Sequence, residues 1–122
     1  MPWDFDPDKP IYIQLVDKIK FDIISGKIGV GEKLSSVRDM AQEAGVNPNT
    51  MQRALSELER EDLIYSQRTS GRFVTDDAML IKSVKNNYAN KIIEETIKGL
   101  MPLVYSKNEL VELIEDYLRE MD

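Results

Sequence analysis

Gly45-Val46-Asn47-Pro48-Asn49-Thr50-Met51-Gln52-Arg53-Ala54-Leu55-Ser56-Glu57-Leu58-Glu59-Arg60 is the stretch on which the reading of this chain turns. Asn47 can cap a helix N-terminus, and Pro48 sits at the first helical position, where its missing N–H costs nothing. The spacing predicts a helix from Asn47 to about Glu61. At about 100° per residue, Met51, Ala54, Leu55 and Leu58 fall on one side, and Asn49, Gln52, Arg53, Ser56 and Arg60 on the other. The second face holds amides, a hydroxyl and guanidinium groups but no carboxylate. Those groups suit base edges and phosphates, since Asn and Gln pair with adenine and Arg with guanine.

Working outward, Ser35 and Ser36 can each cap a preceding short helix, whose apolar residues Val37, Met40, Ala41 and Ala44 recur at helical spacing until Gly45. Two helices therefore meet at a tight turn around Gly45-Val46. Further upstream, Tyr12, Leu15, Val16, Ile19 and Ile23 form one face of a helix from Ile11 to Ser25, which Gly26 stops. Gly29 and Gly31 then turn the chain, and Glu32-Lys33-Leu34 forms at most a short strand. Downstream, Leu63 to Gln67 and Arg72 to Thr75 are rich in strand formers, and Arg68 to Gly71 is polar with a glycine. That is a β-hairpin with an exposed tip. A long helix, two short helices and a hairpin, in this order, make a winged helix-turn-helix.

Helical spacing returns at Asp76-Asp77, with Ile81, Val84, Tyr88, Ile92 and Ile97 on one stripe. Gly99 and Pro102 interrupt it, and the pattern leaves open whether the helix stops at the glycine or kinks at the proline. Ser106 with Glu109 matches a capping box, and Leu110, Leu113, Ile114, Tyr117, Leu118 and Met121 carry a last amphipathic helix. The expected fold is mainly α with a small β-hairpin wing, an α+β class. Residues 1–9 are a proline-rich extended arm, 10–76 a winged helix-turn-helix, and 77–122 a two-helix segment. Two amphipathic helices of this size bury little by themselves, so they fold back on the winged domain or pair with a second chain.

Composition narrows function. The chain has 122 residues with neither cysteine nor histidine, which excludes disulfides, thiolate and histidine relays, and the usual nitrogen and sulfur ligands of zinc. Carboxylate pairs such as Glu94-Glu95 and Asp76-Asp77 fit a solvated helix face and a helix start, so no catalytic residue, cofactor or metal site is expected. No apolar run reaches the roughly 20 residues of a membrane span, and the N-terminus lacks a signal-peptide pattern, so a cytoplasmic location is expected. The formal net charge of −6 argues against a duplex binder. Position argues for one: Gly45 to Ser56 and Leu63 to Thr75 hold arginines and no acid, while Glu57, Glu59, Glu61 and Asp62 follow the reading end of the helix.

With these elements in place, the chain resembles the GntR family of bacterial transcription regulators, and within it the short YtrA-like branch. The likeness is carried by Pro10-Ile11-Tyr12-Ile13-Gln14-Leu15, by Gly26, Gly31 and Leu34, and by Ser36-Val37-Arg38-Asp39-Met40-Ala41. Val46 to Ala54 looks like the branch's recognition helix, Leu58-Glu59 through Leu63-Ile64 to Gly71-Arg72-Phe73-Val74 like its wing, and Trp3 and Phe5 fit its leading arm. On spacing alone Arg38 is a surface residue pairing weakly with Asp39 or Glu43. The resemblance makes it a DNA contact, together with Ser36, Asn47, Asn49, Thr50, Gln52 and Arg53. Asn47 stays open between a cap only and a cap that also touches DNA. Arg68, Thr69, Ser70, Gly71 and Arg72 become wing contacts to the minor groove or its phosphates.

The sequence departs from the family at Ser35, Asp62 and Thr69, which stand where proline, glycine and a second wing glycine are common. Asp62 implies a slightly strained helix end rather than a lost fold. The resemblance further implies a homodimer through Ile81, Val84, Tyr88, Ile92, Leu110, Leu113, Ile114 and Tyr117, an inverted-repeat duplex operator and a small-molecule effector. It also implies repression of a nearby operon, such as one for an ABC transporter. A winged-helix module that binds protein rather than DNA is the competing expectation.

Overall fold

The computed structural model describes residues 2–121, so Met1 of the expected arm and Asp122 of the C-terminal segment lie outside the described residues. Five helices and one hairpin occur among them: α1 (Ile11–Ile24), α2 (Val37–Ala44), α3 (Pro48–Arg60), β1 (Ile64–Gln67), β2 (Gly71–Val74), α4 (Ala78–Leu100) and α5 (Lys107–Glu120), with a 3-10 turn at Met101–Leu103 between the last two. The chain divides into two compact units, Met1–Lys85 and Asn86–Asp122.

In the first unit the apolar faces of α1, α2 and α3 meet over the hairpin. Leu15, Ile19, Met51, Ala54, Leu55, Leu58, Leu63 and Val74 are wholly removed from solvent. Burying each large aliphatic side chain of this set contributes roughly 1.5–3 kcal/mol. Trp3, Phe5, Ile81 and Val84 pack at the edge of this core. β1 and β2 pair antiparallel, with Ile64 opposite Val74 and Gln67 opposite Gly71. Glu32-Lys33-Leu34 adds a single bridge to β2: Leu34 N–H donates to Arg72 O, and Val74 N–H to Glu32 O, both at 2.9 Å. The short strand expected there is this bridge.

Two helix ends use the same device. At the α2–α3 turn, Val46 N–H donates to Ala41 O at 2.9 Å and Gly45 N–H to Gln42 O at 3.2 Å, with Gly45 at φ +76°. At the end of α3, Leu63 N–H donates to Leu58 O at 3.1 Å and Asp62 N–H to Glu59 O at 3.0 Å. Both are Schellman closures, which need a left-handed residue after the helix. Asp62, at φ +62°, is the one non-glycine residue with positive φ among those described. The strained helix end expected from aspartate at this position is therefore present. Gly45 meets a further constraint, because a Cβ there would stand 2.8 Å from Pro2 Cβ.

The arm lies on the first unit. Trp3 N–H donates to Ala44 O at 3.2 Å, and the Gln14 side-chain amide accepts from Asp6 N–H at 2.7 Å and donates to Asp6 O at 2.9 Å. In the second unit, Ser106 Oγ accepts from Glu109 N–H at 3.2 Å, while the Glu109 carboxylate accepts from Tyr105 N–H at 2.9 Å. The capping box forms with its return bond one residue earlier than the usual pattern. α4 runs through Gly99 and ends at Leu100, and Pro102 lies in the 3-10 turn. Gly99 costs such a helix only about 1 kcal/mol against alanine and keeps its hydrogen bond, whereas proline has none to give.

Candidate nucleic-acid interface

Capping places the reading residues. Ser36 caps α2, its Oγ accepting from Asp39 N–H at 3.1 Å, which leaves Arg38 exposed at the second position of that helix. Asn47 caps α3, its Oδ1 accepting from Asn49 N–H at 2.8 Å. Its side-chain nitrogen bonds to nothing among the described residues and remains available. Met51, Ala54, Leu55 and Leu58 face the core, so the opposite face turns Asn49, Gln52, Arg53, Ser56 and Arg60 outward. Gln52 Nε2 reaches Ser56 Oγ at 3.4 Å along that face. Thr50 is half-buried at its edge.

Arg53 does not extend freely. Its guanidinium carbon lies 3.6 Å from the centroid of the Tyr12 ring on α1, a cation–π stack. Ile11, Tyr12, Asn49, Thr50 and Arg53 line an open notch there.

The wing divides into a free tip and a fixed base. Arg68, Thr69 and Ser70 are exposed between the strands, and Gly71 opens β2 at φ +104°. Arg72 is half-buried and its Nε donates to Glu59 Oε1 at 2.8 Å. The same Glu59 oxygen accepts from Ser66 Oγ. Ser66 and Arg72 together hold the Glu59 carboxyl below the usual glutamate range, against a smaller opposing effect of burial. Arg72 therefore fastens the wing to α3, and its charge is largely compensated. Between the wing and the start of α2, a cleft of about 460 Å³ is lined by Lys33, Ser35, Ser36, Ser70, Gly71 and Arg72 among others.

Three of the four acids at the end of α3 are paired inside the unit, Asp62 being the exception among the described residues. Glu57 pairs with Arg60 at 3.1 Å, Glu59 with Arg72 at 2.8 Å and Glu61 with Lys20 at 2.8 Å. Arg38, Arg53, Arg68 and Lys33 have no carboxylate partner among the described residues. Cations without a carboxylate partner thus lie toward the turn and wing, and three of the four acids toward the helix end are compensated. No group of acidic side chains among the described residues is arranged to hold a metal.

The helix-turn-helix residues Ser36, Arg38, Asn47, Asn49, Thr50, Gln52 and Arg53 all belong to α2, α3 or their caps, and Arg68 to Gly71 form the hairpin tip. Two residues were not legible as members of this face. Lys33 follows two glycines and is carried to the wing by its bridge to Phe73. Tyr12 shares its sequence spacing with core residues, and nothing in that spacing distinguishes it. Of the positions expected at a dimer interface, Ile81 and Val84 pack on the core of the first unit, Leu110 is buried and Tyr88 is half-buried. Ile92, Leu113, Ile114 and Tyr117 are exposed, at 50%, 47%, 38% and 69%.

Comparison with known proteins gives the same architecture a family. Residues 11–74 match the sequence model of the bacterial regulatory proteins of the gntR family. The HTH-type transcriptional regulator YhcF of Bacillus subtilis is 34% identical over 113 residues, which span 93% of each chain. The HTH-type transcriptional repressor YtrA of the same organism is 30% identical over 112 residues, 92% of this chain and 84% of YtrA. Among solved structures, a GntR family transcriptional regulator from Listeria monocytogenes superposes with a TM-score of 0.84 at 37% identity, over 92% of this chain and 98% of that one. The DNA-binding domain of AraR, solved in complex with its operator ORX1, superposes with a TM-score of 0.55 at 28% identity, over 62% of this chain and 95% of that one. No helix among the described residues is long and apolar enough to cross a membrane. Matched through its winged helix-turn-helix by the family's sequence model and through nearly all its length by YhcF and YtrA, the chain belongs to the GntR family of bacterial transcriptional regulators.

Proposed function

We propose that this regulator is a cytoplasmic, homodimeric repressor that reads an inverted-repeat duplex operator with α3 and grips the flanking backbone with its wing. The observation that carries the reading is the outer face of α3, where Asn49, Gln52, Arg53 and Ser56 stand exposed with no carboxylate before Glu57. Gln52 and Arg53 are assigned to base edges in the major groove, and Ser36 and Thr50 to phosphates. Arg38, Asn47 and Asn49 also touch the duplex, and Arg68, Thr69, Ser70 and Gly71 take the minor groove or its phosphates. Arg72 supports the wing from its base, where Glu59 holds it.

Dimerisation is assigned to the exposed apolar residues of the second unit, led by Ile92, Leu113, Ile114 and Tyr117, which water disfavours leaving bare. A twofold pair would present two α3 helices to half-sites about one helical turn apart or a multiple of it. YtrA carries the name repressor and AraR binds an operator, and both support the assignment. By likeness to the YtrA branch, the target is a nearby operon, of the kind that encodes an ABC transporter, and a small molecule tunes the grip.

Selection of binding sites from a random duplex library tests this directly. Enrichment of an inverted repeat with one fixed spacing is the expected result. No enrichment at low salt would contradict it and favour a winged helix that binds protein, a reading that the net charge of −6 supports.

A further inference from the structure

We infer that Tyr12, on α1 and outside the helix-turn-helix, is a positioning residue for DNA reading: its ring holds the Arg53 guanidinium in a fixed plane before DNA arrives. The inference rests on the DNA-binding reading above and extends it to a residue that reading leaves unused.

The geometry is specific. Arg53 sits at the sixth position of α3 and Tyr12 at the second of α1, and the guanidinium carbon is 3.6 Å from the ring centroid. That is well inside the roughly 6 Å within which such stacks attract. No carboxylate competes for Arg53, and the first turns of α1 and α3 contain no acid. A stacked guanidinium keeps its donors in its own plane, free of the ring face, and the open notch that Arg53 helps to line is shared with Asn49 and Thr50. A long arginine loses much rotamer freedom when it binds a base edge. The ring removes part of that freedom in the unbound protein. A leucine in place of Tyr12 would fill space there but offer no π face.

Tyr12→Phe, Tyr12→Leu, Arg53→Lys and Arg53→Ala, with the double variant Tyr12→Leu/Arg53→Ala, test the inference in the full chain. In the unbound protein, NMR should show the Arg53 side-chain protons shifted upfield by the ring in wild type and Tyr12→Phe, and unshifted in Tyr12→Leu. On the selected operator, Tyr12→Leu should bind about three- to fivefold more weakly, Tyr12→Phe should match wild type within about twofold, and Tyr12→Leu should cost nothing further once Arg53 is alanine. Tyr12→Leu should also flatten base preference at the same base pair as Arg53→Ala, and Arg53→Lys, which lacks the planar fork, should do so too. An equal loss in Tyr12→Phe and Tyr12→Leu would overturn the inference by making the hydroxyl the contact. So would an undiminished loss in the Arg53→Ala background, which would make the role structural. If no duplex is selected by the wild type, the DNA-binding reading fails first; if one is selected and Tyr12→Leu is harmless, this inference fails alone.

Discussion

Replacing Asp62 by glycine should stabilise the first unit, and the size of the effect follows from one backbone angle. Asp62 holds φ +62° to close α3, with its N–H on Glu59 O and the following Leu63 N–H on Leu58 O. Its carboxylate has no partner among the described residues, so the side chain returns nothing for the strain. A left-handed L-residue costs roughly 1–2 kcal/mol, somewhat less for aspartate, and glycine gives back about 0.4–1 kcal/mol through the freer unfolded chain. Asp62→Gly should therefore gain up to about 1 kcal/mol. Asp62→Ala keeps the Cβ and should fall about 1 kcal/mol below the glycine variant. Urea unfolding at one fixed protein concentration, followed by circular dichroism and by the emission of the single tryptophan, Trp3, measures all three proteins. Equal midpoints for the alanine and glycine variants, or a glycine variant less stable than wild type, would refute the reasoning.

Gly45→Ala should destabilise the unit by about 2 kcal/mol and red-shift Trp3 emission. The new Cβ combines a φ of +76° with a 2.8 Å approach to Pro2 Cβ, which pushes the arm away. Glu59→Gln should cost under about 1 kcal/mol, given its partial exposure. Glu59 ionises more readily folded than unfolded, so its contribution is full above the ordinary glutamate range near about 4.3 and is lost as pH falls through its lowered folded value. The stability gap between wild type and Glu59→Gln, read from denaturant midpoints, should hold between about pH 5 and 7 and narrow as pH falls past the ordinary glutamate value and through the lowered folded one. Arg68→Ala should weaken binding to all duplexes about evenly and reduce the salt slope by about one, as read from affinities at several salt concentrations.

The parts of the fold that local chemistry controls were legible in the sequence. Asn47-Pro48 sets the start of α3, and the spacing of Met51, Ala54, Leu55 and Leu58 sets its buried face, while the strained helix end at Asp62 follows from the family likeness, in which glycine is common there. What was not legible depends on groups far apart in the chain. Arg72 reads as a wing contact until the fold brings Glu59 against it, and Arg53 reads as a free arginine until α1 puts Tyr12 beneath it. Lys33 reads as a turn residue until its bridge to Phe73 carries it to the wing. Ile81 and Val84 share a helical stripe with Ile92, and only the tertiary packing separates the two that cover the core from the one left exposed. The helix through Gly99 was undecided because glycine weakens a helix without removing its hydrogen bond.

The central claim is that α3 reads base edges, and scanning every single base-pair change in the selected operator against wild type and Gln52→Ala tests it most directly. The account predicts that Gln52→Ala loses about 1–3 kcal/mol on the intact operator and becomes indifferent to one base pair, at the symmetric position in each half-site. An even loss across all positions, or affinity equal to wild type throughout, would contradict it.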